Sequence, residues 1–227
     1  MNFELWRLEL RRIGWGAWFA PLGAITALGA LAFLANVMGM GSQTNSILSE
    51  GLDALPLVGG IAAATLLASD PALELQLTLP TSFRATALRR AALALTWTGL
   101  VALVYTALLA ATQRLIWPVS PFANQLIWLV PLLCFAGIGA VFNLGMRAAA
   151  AGSGVTGVIW IFQLFFQRSL SETPTTQPIA LFLRFDPALA SVWIVNRMAL
   201  GALAIVLFAL AIHWLDDAER LLKGENG

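Results

Sequence analysis

The chain has 227 residues, of which 59% are hydrophobic and 11% charged, with a formal net charge of +1 and a mean hydropathy of +0.80. A soluble domain carries about 25% charged residues to solvate its surface, so this composition excludes that class and predicts an integral membrane protein. The 13 basic residues are spread along the chain without forming a groove-sized patch, which argues against a nucleic-acid partner, and the one cysteine, Cys134, excludes a disulfide framework.

A helix rising 1.5 Å per residue needs about 20 apolar residues to cross a hydrocarbon core about 30 Å thick. On that measure the sequence predicts an all-α integral membrane protein of six transmembrane helices, with 1–227 as a single transmembrane domain. Residues 1–14 come first. Phe3, Trp6, Leu10 and Ile13 recur at spacings of three and four, while Glu4, Arg7 and Arg11 fall elsewhere on the wheel. This pattern predicts an interfacial helix lying along the inner leaflet. A signal peptide is disfavoured by the acids and by the length of the apolar region that follows.

Span one is placed at 15–38 and ends at the glycines of MGMGS. Span two is short, 55–69, bounded by Asp53 and Asp70. Between spans two and three lies the polar stretch 70–90, DPALELQLTLPTSFRATALRR. A helix starting near Asp70 places Asp70 and Glu74 at its positive N-terminal end, with Pro71 in the first turn. Leu73, Leu75, Leu77 and Leu79 give it apolar faces, and Pro80 ends it. The Thr81–Ser82 pair then caps a second helix running through Arg84, Arg89 and Arg90 into span three. The result is a cytoplasmic coupling helix in a compact knob, longer than a minimal interhelical loop.

Spans three to six are placed at 91–113, 125–146, 148–167 and 195–215. Only Arg147 and its small neighbours separate spans four and five, which requires a tight helical hairpin. In span five, Trp160, Phe162, Phe165 and Phe166 accompany two amides, Gln163 and Gln167, four residues apart and therefore on one helix face. Amides in hydrocarbon need partners. Trp160, Gln163, Phe166 and Gln167 are therefore candidates for lining a substrate path, or else the amides join helices and the aromatics face lipid. The stretch 168–193 is too polar to span and too long for a tight turn. It reads as an outer loop or re-entrant segment, with an embedded or surface helix pair broken at Pro187 and an Arg184–Asp186 pair.

Orientation follows from the basic residues, which favour the cytoplasmic side. With both termini inside, nine fall there (Arg7, Arg11, Arg12, Arg84, Arg89, Arg90, Arg147, Arg220 and Lys223) and four outside (Arg114, Arg168, Arg184 and Arg197). No GxxxxGK[ST] loop or dinucleotide fingerprint occurs, so any ATP chemistry is expected in another chain. His213 and Cys134 lack companions that would complete a metal site.

The layout and two segments resemble the permeases of type-2 ATP-binding-cassette exporters, the ABC-2 group. Those proteins commonly have an N-terminal interfacial helix, six spans with both ends inside, and a coupling helix between spans two and three. That helix has an acid, Leu-Glu, apolar residues and Leu-Pro-x-Ser. The matching residues here are Asp70, Leu73, Glu74, Leu75, Leu77, Leu79, Pro80 and Ser82, followed by Arg84, with Ala72 where the family often has glycine. The ending NRMALGALAIVLFALAIHWLDDAERLL is similar to the family's sixth span and tail.

The resemblance implies a transport subunit, without enzyme chemistry of its own, in a prokaryotic plasma membrane. Its implied partners are an ATPase subunit holding ATP and magnesium, a second permease copy or paralogue, and membrane lipid. Asp70, Glu74, Leu77, Leu79, Pro80 and Arg84 would form the ATPase-coupling surface, Glu74 and Arg84 by polar contact and Leu77, Leu79 and Pro80 by stiff packing. Two other classes compete. One is a noncatalytic assembly subunit of a larger membrane complex. The other is an intramembrane serine protease using Ser153 and His213, which is disfavoured because AAGSGV lacks a glycine two residues before the serine.

Overall fold

The computed structural model describes residues 9, 13–68, 83–114, 121–183, 185 and 190–223. Seven α-helices and one 3-10 turn are defined among them: α1 Trp15–Val37, α2 Gly41–Ala68, α3 Phe83–Ala111, α4 Pro121–Gly145, α5 Ala149–Phe165, α6 Gln167–Glu172, the turn Gln177–Ile179, and α7 Ala190–Lys223. Five of these, α1, α2, α3, α4 and α7, are long and apolar enough to cross a membrane, which makes this a multi-pass membrane protein. The sixth apolar helix, α5, has 17 residues, about 25 Å at 1.5 Å per residue.

Each of the six predicted spans falls on a helix, but the second departs from expectation at its start. The sequence reading began it at 55, whereas α2 begins at Gly41 and runs 28 residues through Glu50 and Asp53. Charge lowers hydropathy without breaking the backbone hydrogen-bond ladder, and Asp53 is buried against neighbouring helices. At the other end of the chain α7 has 34 residues, about 50 Å of helix, well beyond the predicted 195–215. The interfacial helix expected over 1–14 lies outside the described residues apart from Glu9, Ile13 and Gly14.

Three helix ends share one device. After α1, Gly39 N–H donates to Asn36 O (3.1 Å) and Met40 N–H to Ala35 O (2.8 Å). After α3, Gln113 bonds to Ala110 O (3.0 Å) and Arg114 to Leu109 O (3.0 Å). After α4, Arg147 bonds to Leu144 O (3.3 Å) and Ala148 to Asn143 O (3.1 Å). This is the Schellman pattern, which needs a left-handed residue at its centre. Gly39 (φ 78°), Gln113 (φ 55°) and Arg147 (φ 50°) supply it. The chain therefore reverses sharply at Arg147, forming the expected α4–α5 hairpin.

The central helix α2 packs against α1, α3, α4 and α5, antiparallel to α3, where Gly51 and Gly59 meet Tyr105 and Thr98, and parallel to α4, where Gly60 meets Phe135 and Ala64 meets Gly139, while α7 packs mainly on α4. Lipid tails are as apolar as leucine, so helices in a bilayer associate through close packing and polar contacts. The core shows both. One cluster consists of Ala63, Ala64, Ala87, Ala91, Ala94, Ala136, Ala140 and Ala211 with Leu67 and Leu215. On α2, Gly60 lies against the Phe135–Ala136 backbone of α4, leaving no room for a Cβ. Thr98, Thr106, Asn143, Thr156, Gln163, Asn196 and Arg197 are buried, whereas Phe19, Phe33, Val104, Phe165, Met198 and Ile205 are exposed. A bundle with an apolar exterior and polar groups buried among its packed helices suits lipid as the solvent.

Candidate functional site

Two groups of residues were singled out by sequence, and the structure treats them differently. Of the coupling surface, Asp70, Glu74, Leu77, Leu79 and Pro80 lie outside the described residues. Arg84 stands in the first turn of α3, where Nη1 donates to both carboxylate oxygens of Asp216 on α7 (2.8 and 2.7 Å). Both side chains are partly exposed, where such a pair contributes about 0–1 kcal/mol. Two turns along the same helix, Arg90 Nε donates to Glu9 Oε2 at 2.6 Å, with both side chains buried. The start of α3 is thus tied to the segment preceding α1 and to the far part of α7. The sequence places Arg90 among the cytoplasmic basic residues and gives no sign of its tie to Glu9.

At the opposite end of the bundle, the four candidate path residues divide. Trp160 Nε1–H donates to the Asp53 carbonyl of α2 at 3.0 Å. Asp53 lies three residues before Pro56, inside α2. Trp97 of α3 does the same to α1, donating to the Trp18 carbonyl at 2.9 Å, three residues before Pro21. A helix proline leaves the carbonyl four residues before it without its N–H, here Leu52 and Ala17, so each indole arrives one residue beyond that gap. Trp160→Phe, which keeps an aromatic ring and removes the N–H, is expected to lower stability by about 1 kcal/mol, read from denaturant unfolding of the purified protein.

Gln163 and Gln167 meet a strip of irregular backbone. Gln163 Nε2 donates to Ile179 O (3.1 Å), its Oε1 accepts from Leu181 N–H (3.1 Å), and Gln167 Nε2 donates to Phe182 O (2.9 Å). The amides converge although the helix is interrupted between them: α5 ends at Phe165, Phe166 is its cap, and Gln167 begins α6. Phe166 turns outward. It packs against Phe162 in a tilted pair with centroids 4.7 Å apart and helps line a shallow apolar groove of about 530 Å³ with Val158, Ile161, Phe162 and Phe165.

Two further residues hold the same strip and escaped the sequence reading. Asn196 Nδ2 donates to Gln177 O (2.6 Å) and Ala180 O (3.0 Å). Arg197 Nη1 donates to Leu181 O (3.0 Å) and Nη2 to Leu183 O (2.8 Å), with the guanidinium 5.3 Å from the centroid of Trp193. Arg197 is 3% exposed, and Asp53 acts on it through space. A signal was available: an Asn-Arg pair opening an apolar run is rare in a span, and an intramembrane cation usually has a specific partner. Counting Arg197 only as an outside charge concealed it. Of the expected helix pair in 168–193, the described portion holds α6 and the Gln177–Ile179 turn, followed by a buried irregular strip, Ala180 to Leu183. Arg184, Asp186 and Pro187 lie outside the described residues.

Ser153 and His213, the pair considered for protease chemistry, sit on α5 and α7, helices that each pack on α4. Ser153 is partly buried and His213 exposed. No family model matches the chain, and neither does any curated protein or solved structure.

Proposed function

We propose that this chain is the permease subunit of an ATP-driven exporter of the ABC-2 type, lying in a prokaryotic plasma membrane with both termini cytoplasmic. In this reading a separate ATPase binds ATP and magnesium and presses on the segment containing Asp70, Glu74, Leu77, Leu79 and Pro80. A second permease copy or paralogue completes the transporter.

The observation that carries the reading is the pair of ties meeting on the first two turns of α3, directly after that segment. Arg84 joins α3 to Asp216 of α7, and Arg90 joins it to Glu9 ahead of α1. A displacement delivered to the start of α3 is passed to both flanks of the bundle, because rigid helices joined by ion pairs move together more readily than they bend. The nine-to-four partition of basic residues supports the orientation. The inward-facing Trp160, Gln163 and Gln167 support a polar end to the path, closed by the 177–183 strip.

Purification from the native membrane in mild detergent, followed by mass spectrometry, tests the proposal. A stoichiometric Walker-containing ATPase is expected, lost in Glu74→Ala and Pro80→Ala variants that still insert in the membrane. A preparation without any ATPase, stable alone or with unrelated membrane subunits, would replace this reading with that of an assembly subunit.

A further inference from the structure

The strip 177–183 is bound as a ligand would be bound. Six hydrogen bonds run from side-chain nitrogens of Gln163, Gln167, Asn196 and Arg197 to carbonyl oxygens of Gln177, Ile179, Ala180, Leu181, Phe182 and Leu183. Among the described residues one runs in reverse, from Leu181 N–H to Gln163 Oε1. The wall is therefore rich in donors, carries a positive charge, and faces an acceptor-rich strand.

The match is incomplete in charge. The carbonyls that Arg197 meets are neutral acceptors, and among the described residues its Nε has no hydrogen-bond partner and no carboxylate pairs with it directly. A buried cation is most stable against an oxyanion, and a guanidinium takes a phosphate or carboxylate through two parallel hydrogen bonds. The Nη1 and Nη2 that now reach Leu181 and Leu183 have the fork geometry for that exchange. Pro178 also contributes no N–H to the strip.

We propose that Gln163, Gln167, Asn196 and Arg197 form a binding site for a phosphate-bearing group, occupied in this state by the protein's own strip 177–183. Ligand and strip compete for the same donors, so binding lifts the strip. Leu181, Phe182 and Leu183 are buried, and their exposure opposes lifting. A ligand with an acyl chain offsets that term where a free phosphate does not, because the apolar groove of Val158, Ile161, Phe162, Phe165 and Phe166 runs along the helical turns on either side of Gln163. The site does not depend on whether an ATPase drives the chain.

Hydrogen exchange on the unmodified, detergent-purified full chain reads the strip directly, with three probes: inorganic phosphate, short-chain phosphatidic acid, and phosphatidylcholine of the same chain length. At a ligand concentration about ten times its Kd, mass action raises the lifted population about tenfold, and exchange across 177–183 accelerates accordingly. Acceleration by both phosphate and phosphatidic acid identifies a site for phosphate itself, and acceleration by phosphatidic acid alone identifies a headgroup with its chain. Either result supports the proposal if Arg197→Gln abolishes the ligand-dependent change and Arg197→Lys retains part of it. Should Arg197→Gln not fold, Gln167→Ala serves in its place, at a half-buried position, and is expected to weaken the response. Exchange unaltered by every probe, or accelerated equally by phosphatidylcholine, or unchanged in its ligand response by these substitutions, overturns it.

Discussion

Gly152→Ala is expected to destabilise the protein by about 3 kcal/mol, the upper range for an overpacked interior, while Gly154→Ala two residues later stabilises it by about 0.5–1 kcal/mol. Gly152 lies at the crossing of α4 and α5. Its N–H donates to Asn143 Oδ1 at 2.6 Å, and Thr156 Oγ1 donates to its carbonyl at 2.5 Å. A Cβ there would stand 2.5 Å from Asn143 Oδ1 and nearer still to the Gly139 carbonyl oxygen. The obstructing atom is backbone, so relief requires the two helices to separate, breaking the Asn143 bond and unseating the Arg147 reversal. At Gly154 nothing lies within 4 Å of the added methyl, and only the helix-propensity gain remains. Denaturant titration of the purified protein, with both variants beside the parent, checks the opposite signs.

Arg90→Met is expected to cost about 3–5 kcal/mol, because it leaves the Glu9 carboxylate buried without its cation. Replacing both residues by Met is expected to recover most of that loss, since two packed apolar side chains substitute well for a buried pair. The single variant has an escape: the segment around Glu9 can leave its site and return the carboxylate to water. Exchange at the Ile13 amide, which donates to the Glu9 carbonyl at 3.0 Å, distinguishes the routes. Faster exchange there in Arg90→Met, restored in the double variant, means that the pair seats the N-terminal segment on α3. Equal stability of the single and double variants would mean that the charges act independently.

Much of the fold was legible because bilayer thickness converts apolar run length into helix number. Five predicted spans fall on helices long and apolar enough to cross a membrane and one on the shorter α5, and the reversal at Arg147 followed from the shortness of the polar break. The start of α2 was missed because Glu50 and Asp53 interrupt hydropathy, whereas a helix is interrupted only by loss of backbone geometry. Gly39 announces a helix end in sequence, but Gln113 and Arg147 adopt the same left-handed conformation without any such mark. In the candidate site, the need of Gln163 and Gln167 for partners was readable from their spacing in an apolar run. Their actual partners were not, since IALFLRF has the composition of a buried helix and its stretch Ala180 to Leu183 is instead irregular backbone. Arg197 shows the same limit from the other side: counting charges by loop assigns it a side of the membrane but no neighbour.

The two ion pairs at the start of α3 also set an order of events during synthesis. Glu9 and Arg90 are 81 residues apart, and Arg84 and Asp216 are 132 apart. The first contact becomes available once the third helix has left the ribosome, which closes the N-terminal half around α3 while half of the chain is still to come. The second waits for the end of α7. A nascent chain arrested before Asp216 is therefore expected to hold its N-terminal segment already in place, with the beginning of α3 fastened on one flank only. The later turns of α7 complete the anchorage, so the start of α3 becomes firm on both flanks only once Asp216 has emerged.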